Sequence, residues 1–223
     1  MGPRLLLINP AMKANGQRAP NAGGIATMEP LGLAYVAALT PRHWRVRIVD
    51  EVVEEAPADY EPDLVALTSL SITVPRAYEI AQAYRRRGVP VVMGGVHATL
   101  LPQEVKEYVD VVYQGEAESS WPDLIRDFEA GTLKSRYNGK AGTLENLPLP
   151  RRELYSRRYV LQLLSASRGC RYRCEFCTLW KLEEGRYRAR PLDELFAELE
   201  LTKTRRPLLF TDENIFTDRE WAK

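Results

Sequence analysis

The chain has 223 residues, of which 45% are hydrophobic and 27% charged, and its 31 lysines and arginines nearly balance its 30 aspartates and glutamates. That length allows about one or two domains, and the composition excludes collagen-like, disordered and strongly charged binding proteins. No apolar run approaches the ~18 residues of a membrane span, and no signal-peptide core is present. The sequence therefore predicts a cytoplasmic protein with no membrane partner.

Residues 1–130 alternate short apolar runs with helical patterns. Continuous apolar runs are typical of parallel strands buried on both faces, and five of them cover residues 5–8, 46–49, 64–67, 89–92 and 111–113. Apolar residues at helical spacing predict amphipathic helices around residues 77–84 and 121–128. This alternation predicts a doubly wound, flavodoxin-like α/β domain with five parallel strands in the order 2-1-3-4-5.

Small and polar residues follow four of these strands, where the carboxyl ends of parallel strands would share one edge of the sheet. The loops contain Asn9, Pro10, Gly23 and Gly24; then Ser69 and Ser71; then Gly94, Gly95 and His97; and then Gly115 and Glu116. Turns favour such residues for steric and capping reasons alone, but four such loops together favour a bound cofactor. Neither the dinucleotide pattern G-x-G-x-x-G nor the nucleoside triphosphate pattern G-x-x-x-x-G-K-[ST] is present.

A polar stretch rich in glycine and proline, residues 131–158, predicts a linker. Residues 159–223 then form a second unit. Its predicted elements are an apolar strand ending at residue 164, a helix over residues 192–199 and a strand over residues 208–210.

The three cysteines all lie on one short segment of the second unit. Cys170, Cys174 and Cys177 spell C-x3-C-x2-C, and thiolates this close can converge on one metal centre. A zinc site is disfavoured because it needs four ligands and the only histidines, His43 and His97, lie far upstream. Three buried structural cysteines would not explain the spacing. Three thiolates on a [4Fe–4S] cluster leave one iron open to another ligand.

This cysteine motif, with an aromatic residue before its last cysteine and a strand before its first, resembles the signature of the radical S-adenosylmethionine superfamily. The resemblance implies that the three cysteines hold a [4Fe–4S] cluster and that S-adenosylmethionine chelates the open iron. An external one-electron reductant of the flavodoxin or ferredoxin type would then trigger formation of a 5′-deoxyadenosyl radical. Phe176 would lie near the adenine, and Asp212 and Glu213 would bind the methionyl ammonium. Capping and solvation are the alternative roles of these two carboxylates.

The first unit, its loop motifs and the segment 186–191 (RYRARP) resemble the cobalamin-binding class of radical enzymes. The resemblance implies cobalamin contacts at Asn9, Pro10, Ser69, Ser71, Gly94, Gly95, His97, Gly115 and Glu116. Small residues among them would leave room for the nucleotide tail. The D-x-H-x-x-G motif is missing, so cobalt would carry no protein imidazole. His97 would bond the tail or a phosphate, or would only stabilise its loop.

The resemblance implies methyl transfer to an unactivated centre of a small molecule. A radical cyclase or rearrangement enzyme with the same cofactors, a tRNA-modifying enzyme and a non-catalytic cobalamin-binding module remain alternatives. The tRNA reading rests on the basic stretch 151–190, with ten arginines and Lys181 against four glutamates. Charge alone is weak evidence for phosphate contact, and no cysteine precedes Cys170, whereas tRNA-modifying radical families place further cysteines in their first domain, so nucleic acid is a disfavoured partner. Because the radical barrel normally continues through further βα units, the sequence predicts a chain truncated within that barrel that lacks much of the substrate pocket.

Overall fold

The computed structural model describes residues 2–14, 17–18, 26–55, 60–154, 159–183, 185–202 and 206–223. Gly23 and Gly24 of the first predicted loop lie outside these ranges. No helix in the described ranges has the length and hydropathy needed to span a membrane.

The first unit consists of strands and helices in alternation. In chain order its elements are β1 (Arg4–Asn9), β2 (Lys13–Ala14), β3 (Gln17–Arg18), α1 (Leu31–Leu39), β4 (Arg45–Asp50), β5 (Leu64–Thr68), α2 (Val74–Arg86), β6 (Val91–Gly94), α3 (Val96–Leu100), α4 (Pro102–Val105), β7 (Val111–Gly115), α5 (Trp121–Glu129) and β8 (Arg136–Gly139). Six strands form one sheet in the order β4-β1-β5-β6-β7-β8, and every neighbouring pair is parallel.

The predicted order of five strands is confirmed, but the predicted number is wrong because β8 adds a sixth strand. It lies in the stretch predicted to be a linker. Of its four residues only Tyr137 is buried, so no apolar run marks this edge strand. The Tyr137 ring stacks on Tyr113 of β7 with 6.5 Å between centroids, and its hydroxyl donates to Asp127 at 2.6 Å.

Two apolar cores lie on opposite faces of the sheet, as a doubly wound fold requires. Alternate residues of β1 serve them, with Leu5 and Leu7 on one face and Leu6 and Ile8 on the other. The first face is covered by α1 and α5, and the second by α2. This burial on both faces explains why the strands are continuous apolar runs.

Helix α1 was not predicted from the sequence, because it is apolar around its whole circumference and shows no amphipathic spacing. Ala34 and Ala37 pack into the core of the first unit. Leu31 and Tyr35 pack instead against Leu163 of the second unit. The helix is therefore buried between the sheet and the second unit.

The second unit contains the predicted strand, helix and strand, together with short elements around the cysteines. In chain order they are β9 (Gln162–Leu164), β10 (Ser167–Arg168), α6 (Leu179–Leu182), β11 (Arg188–Ala189), α7 (Leu192–Thr202) and β12 (Leu208–Phe210). Strands β9 and β12 pair in parallel, and β10 and β11 pair antiparallel. The cysteine loop, defined as residues 169–187, is the segment between β10 and β11.

Candidate functional site at the carboxyl edge of the sheet

The loops after β1, β5, β6 and β7 meet at the carboxyl edge of the sheet because these strands are parallel. The chain passes from β1 to β4 on one side and later to β5 on the other, so the edge contains the switch point at which such folds bind ligands. Asn9 donates its side-chain amide to Asp50 at 2.9 Å, and the Tyr159 hydroxyl donates to the other oxygen of Asp50 at 2.9 Å. Pro10 is buried beside them.

Two of the predicted glycines are needed by the chain itself. Gly95 has φ +94°, and a Cβ there would lie 2.9 Å from the backbone nitrogen and oxygen of Ser69. Gly115 has φ +73°, and its Cβ would overlap the carbonyl oxygen of Gly139 in β8. Neighbouring backbone occupies the position of a side chain at both glycines, so the fold by itself accounts for them, and their cobalamin contacts stay predictions. Gly94 differs, because its Cβ would meet Tyr113 at an ordinary 3.6 Å.

His97 is buried and belongs to a chain of polar side chains at this edge. Its Nδ1 lies 3.1 Å from the hydroxyl of the exposed Ser71. Its Nε2 lies 3.4 Å from Glu104 without forming a hydrogen bond, and the Tyr78 hydroxyl donates to the same carboxylate at 2.8 Å. Ser69 is buried, and its hydroxyl donates to Gly94 at 3.4 Å. These contacts stabilise the loops, and Ser71 is the exposed hydroxyl among them.

The cysteine loop presents three free thiols. Cys174 is exposed, and Cys170 and Cys177 are half-buried. Among the described residues, no group of three Cys, His, Asp or Glu side chains lies close enough to hold one metal ion. The expectation that the three sulfur atoms already share a centre is therefore not met. Three accessible thiols within eight residues still fit the donor set of an iron–sulfur cluster.

Two of the three predicted S-adenosylmethionine contacts, Asp212 and Glu213, lie at the start of this loop. Asp212 accepts hydrogen bonds from the backbone of Ala166 at 3.2 Å and from the Ser167 hydroxyl, so both of its oxygens are engaged. Glu213 accepts from the backbone of Gly169 at 3.0 Å through one oxygen. Phe176 projects into solvent with 91% of its surface exposed. Both Asp212 oxygens are thus engaged within the protein, which favours a structural role for this carboxylate, and Glu213 and Phe176 stay predicted contacts.

Glu116 joins the two units. Its carboxylate accepts two hydrogen bonds from Arg188, at 2.9 and 2.6 Å, and lies 3.2 Å from Arg168. Arg168 also donates to Glu118 at 2.6 Å, and Arg188 pairs with Glu183. Burial acts to raise the pKa of Glu116, but the hydrogen bonds and charges of the two arginines outweigh it and hold the pKa below its usual range. In the structure this predicted cobalamin contact is bound by the second unit.

A second set of buried charges crosses the same interface. Glu29 is fully buried and accepts from Arg152 at 3.1 Å, from the backbone of Leu163 at 3.2 Å and from Arg206 at 3.2 Å. Arg152 also pairs with Glu198 at 2.8 Å. No local sequence pattern marks these residues, because the partners lie far apart along the chain.

Comparison with known proteins assigns the first unit. Residues 26–125 match the family described as B12 binding domain. The chain contains a B12 binding domain. That domain includes the loops after β5, β6 and β7, and the two sets of buried charges join it to the cysteine loop and β9.

Relatives extend the similarity into the second unit. The chain is 31% identical over 183 residues to the bacteriochlorophyllide d C-8(2)-methyltransferase of Chlorobaculum tepidum. The aligned region covers 78% of this chain and 41% of the relative. It is 25% identical to the anaerobic magnesium-protoporphyrin IX monomethyl ester cyclase of Cereibacter sphaeroides, over 88% of this chain and 38% of that protein.

A solved structure has the same fold. The radical S-adenosylmethionine methyltransferase TsrM of Kitasatospora setae, with tryptophan and a S-adenosylmethionine analogue bound, superposes with a TM-score of 0.73 at 19% identity. The match covers 99% of this chain and 49% of TsrM. The superposition confirms the predicted fold, and the family match confirms the cobalamin-binding class of the first unit. The chain spans about half or less of the length of each protein.

Proposed function

We propose that this chain forms the cofactor-holding part of a cobalamin-dependent radical S-adenosylmethionine methyltransferase that acts on an unactivated centre of a small molecule. One observation carries the proposal. The only three cysteines of the chain lie on a loop that is ion-paired at its base to the carboxyl edge of a B12 binding domain. Bound together, the cofactors would supply a methyl donor and a hydrogen-abstracting radical at adjacent sites.

The residues of the chain have separate roles in this proposal. Cys170, Cys174 and Cys177 would hold the cluster, and Glu213 would bind the methionyl ammonium through the oxygen that the Gly169 backbone leaves open. Ser71 would donate from the carboxyl edge to the cobalamin tail, with its hydroxyl oriented by the buried ring of His97. Delivery of electrons would require an external one-electron donor.

Anaerobic reconstitution with iron and sulfide tests the cluster directly. We expect wild type to gain the visible absorption that is typical of iron–sulfur clusters. After reduction it should give an electron paramagnetic resonance signal. Cys174→Ala should lose the reduced signal because a site with two thiolates lacks an iron ligand. Thr178→Ala is the matched control, since this loop residue makes no side-chain cap and leaves the cysteines unchanged. An equal signal from Cys174→Ala would exclude the three-cysteine cluster.

Equilibrium dialysis with hydroxocobalamin tests the B12 site separately. In Gly94→Val the added Cβ meets Tyr113 at an ordinary 3.6 Å, and the branched side chain at the carboxyl edge should weaken cobalamin binding. Gly32→Val is the control, because a Cβ at Gly32 meets no atom within 4 Å. Equal affinity of both variants would place the tail elsewhere. Cobalamin binding without any cluster in reconstituted wild type would identify a non-catalytic cobalamin module instead.

A radical cyclase is the second candidate, and the match to the magnesium-protoporphyrin cyclase favours it. S-adenosylmethionine labelled in its methyl group separates the two. Label that appears in the corrin fraction after reduction supports methyl transfer. Consumption of S-adenosylmethionine to 5′-deoxyadenosine, with no label in that fraction, supports cyclisation or rearrangement.

The tRNA-modifying alternative gains no support from the geometry of the basic stretch. Arg152, Arg168, Arg188 and Arg190 are each paired with buried or half-buried glutamates of the chain. Arg152, Arg168 and Arg188 stabilise the interface between the units, Arg190 pairs within the second unit, and the carboxylates balance the charge of all four.

A further inference from the structure

Arg168 and Arg188 face each other at the base of the cysteine loop. They are directly paired residues in the antiparallel β10–β11 ladder, and all three cysteines lie in the segment between them. Two like charges directly across a ladder destabilise it. The pairing of β10 with β11 therefore requires negative charge from outside the ladder.

Glu116 of the B12 binding domain supplies charge to both arginines. It is a bidentate partner of Arg188 and lies 3.2 Å from Arg168. Its side chain is 14% exposed, and those of the two arginines are 13% and 19% exposed. A bidentate arginine–carboxylate pair fixes orientation as well as distance, and partial burial limits its screening by salt.

The position of Glu116 along the chain explains how it can fix the cysteine loop relative to the sheet. Glu116 directly follows Gly115, the last residue of β7, and the left-handed φ of Gly115 packs this turn against β8. The carboxylate is therefore held by a rigid corner of the sheet. At the other side, Arg168 is two residues before Cys170.

We propose that Glu116 is a positioning residue, which fixes the cysteine loop against the carboxyl edge of the B12 binding domain and so sets the distance between cluster and cobalamin. The inference rests on the proposed function for the two cofactors. The contact between Glu116 and the two arginines is a property of the protein without cofactors and is testable by itself.

Thiol labelling of the apoprotein is the first test. Glu116→Gln keeps the size of the side chain but removes the charge, so the loop base should open more often. We expect alkylation of the half-buried Cys170 to become at least about tenfold faster, a factor that corresponds to about 1.4 kcal/mol. The exposed Cys174 is an internal control and should change by less than about twofold. Peptide mass spectrometry after timed quenching reads both sites in one sample.

Matched variants separate positioning from a general loss of structure. Glu116→Asp retains the charge, so Cys170 should be alkylated nearly as slowly as in wild type. Glu61→Gln removes a carboxylate paired with Arg4 at an exposed position, and it should label like wild type. Unchanged labelling of Cys170 in Glu116→Gln would overturn the proposal, as would equal acceleration of Cys170 and Cys174. Loss of cobalamin affinity with wild-type labelling rates would overturn it in favour of direct contact.

Electron paramagnetic resonance of the reconstituted protein is the second test. With cob(II)alamin and a reduced cluster both present, two nearby unpaired spins broaden each other's signals. We expect Glu116→Gln to reduce this broadening and to make it heterogeneous, and Glu116→Asp to restore it. If wild type binds neither cofactor but Cys170 is still alkylated faster in Glu116→Gln, the proposed function is refuted and the positioning contact is supported. Identical broadening and labelling in wild type and Glu116→Gln would refute the positioning role alone.

Discussion

Glu29 is the most deeply buried charge between the two units, and replacing it with glutamine measures how strongly they are joined. Its side chain has no exposed surface, and it accepts hydrogen bonds from Arg152, Arg206 and the backbone of Leu163. Removing one partner of a buried ion pair costs about 3–5 kcal/mol, because the other charge stays buried without compensation. Arg152 keeps Glu198, and the Arg206 side chain is 31% exposed. We therefore expect the low end of that range.

The assay for Glu29→Gln is urea unfolding followed by circular dichroism and tryptophan fluorescence. The free energy of unfolding falls by about 2–3 kcal/mol per M of urea, so a loss of about 3 kcal/mol lowers the urea midpoint by about 1 M. The control is Glu61→Gln, whose side chain is 75% exposed and lies 3.8 Å from Arg4, so its midpoint should stay within the error of wild type. Equal midpoints for the two variants would refute the argument that buried charge joins the units.

Three further predictions concern the site. Gly95→Ala should lower the free energy of unfolding by about 3 kcal/mol, because its φ of +94° and the Ser69 backbone both oppose a side chain, whereas Gly88→Ala should cost about 1 kcal/mol; urea unfolding measures both. The depressed pKa of Glu116 means that its contribution to stability is present above about pH 4.3 and disappears as the pH falls through the folded pKa, so wild type and Glu116→Gln should converge in acid unfolding. Asp212→Asn should lower the free energy of unfolding by about 1–2 kcal/mol with little change in S-adenosylmethionine affinity. Glu213→Gln should weaken S-adenosylmethionine binding, measured by titration calorimetry, with little change in the free energy of unfolding.

The strands of the sheet could be predicted because burial on both faces leaves a continuous apolar run. That signal fails for β8, where only Tyr137 is buried, and for α1, where helical spacing is hidden by apolar residues on every side. The cysteine motif was found because its spacing is local. The partners of Glu116 could not be found from the sequence, because Arg168 and Arg188 lie 52 and 72 residues away along the chain. No local pattern encodes such a contact.

The same long-range contact makes the structure of the cysteine loop depend on the B12 binding domain. The facing arginines of the β10–β11 ladder repel each other unless a carboxylate lies between them. Glu183, from within the loop, contacts Arg188, whereas Glu116 contacts both arginines of the ladder. The B12 binding domain therefore supplies the charge that closes the base of the loop. Under the proposed function, a loop whose base closes against the docked B12 binding domain presents its thiols only where the carboxyl edge of the sheet is already in place.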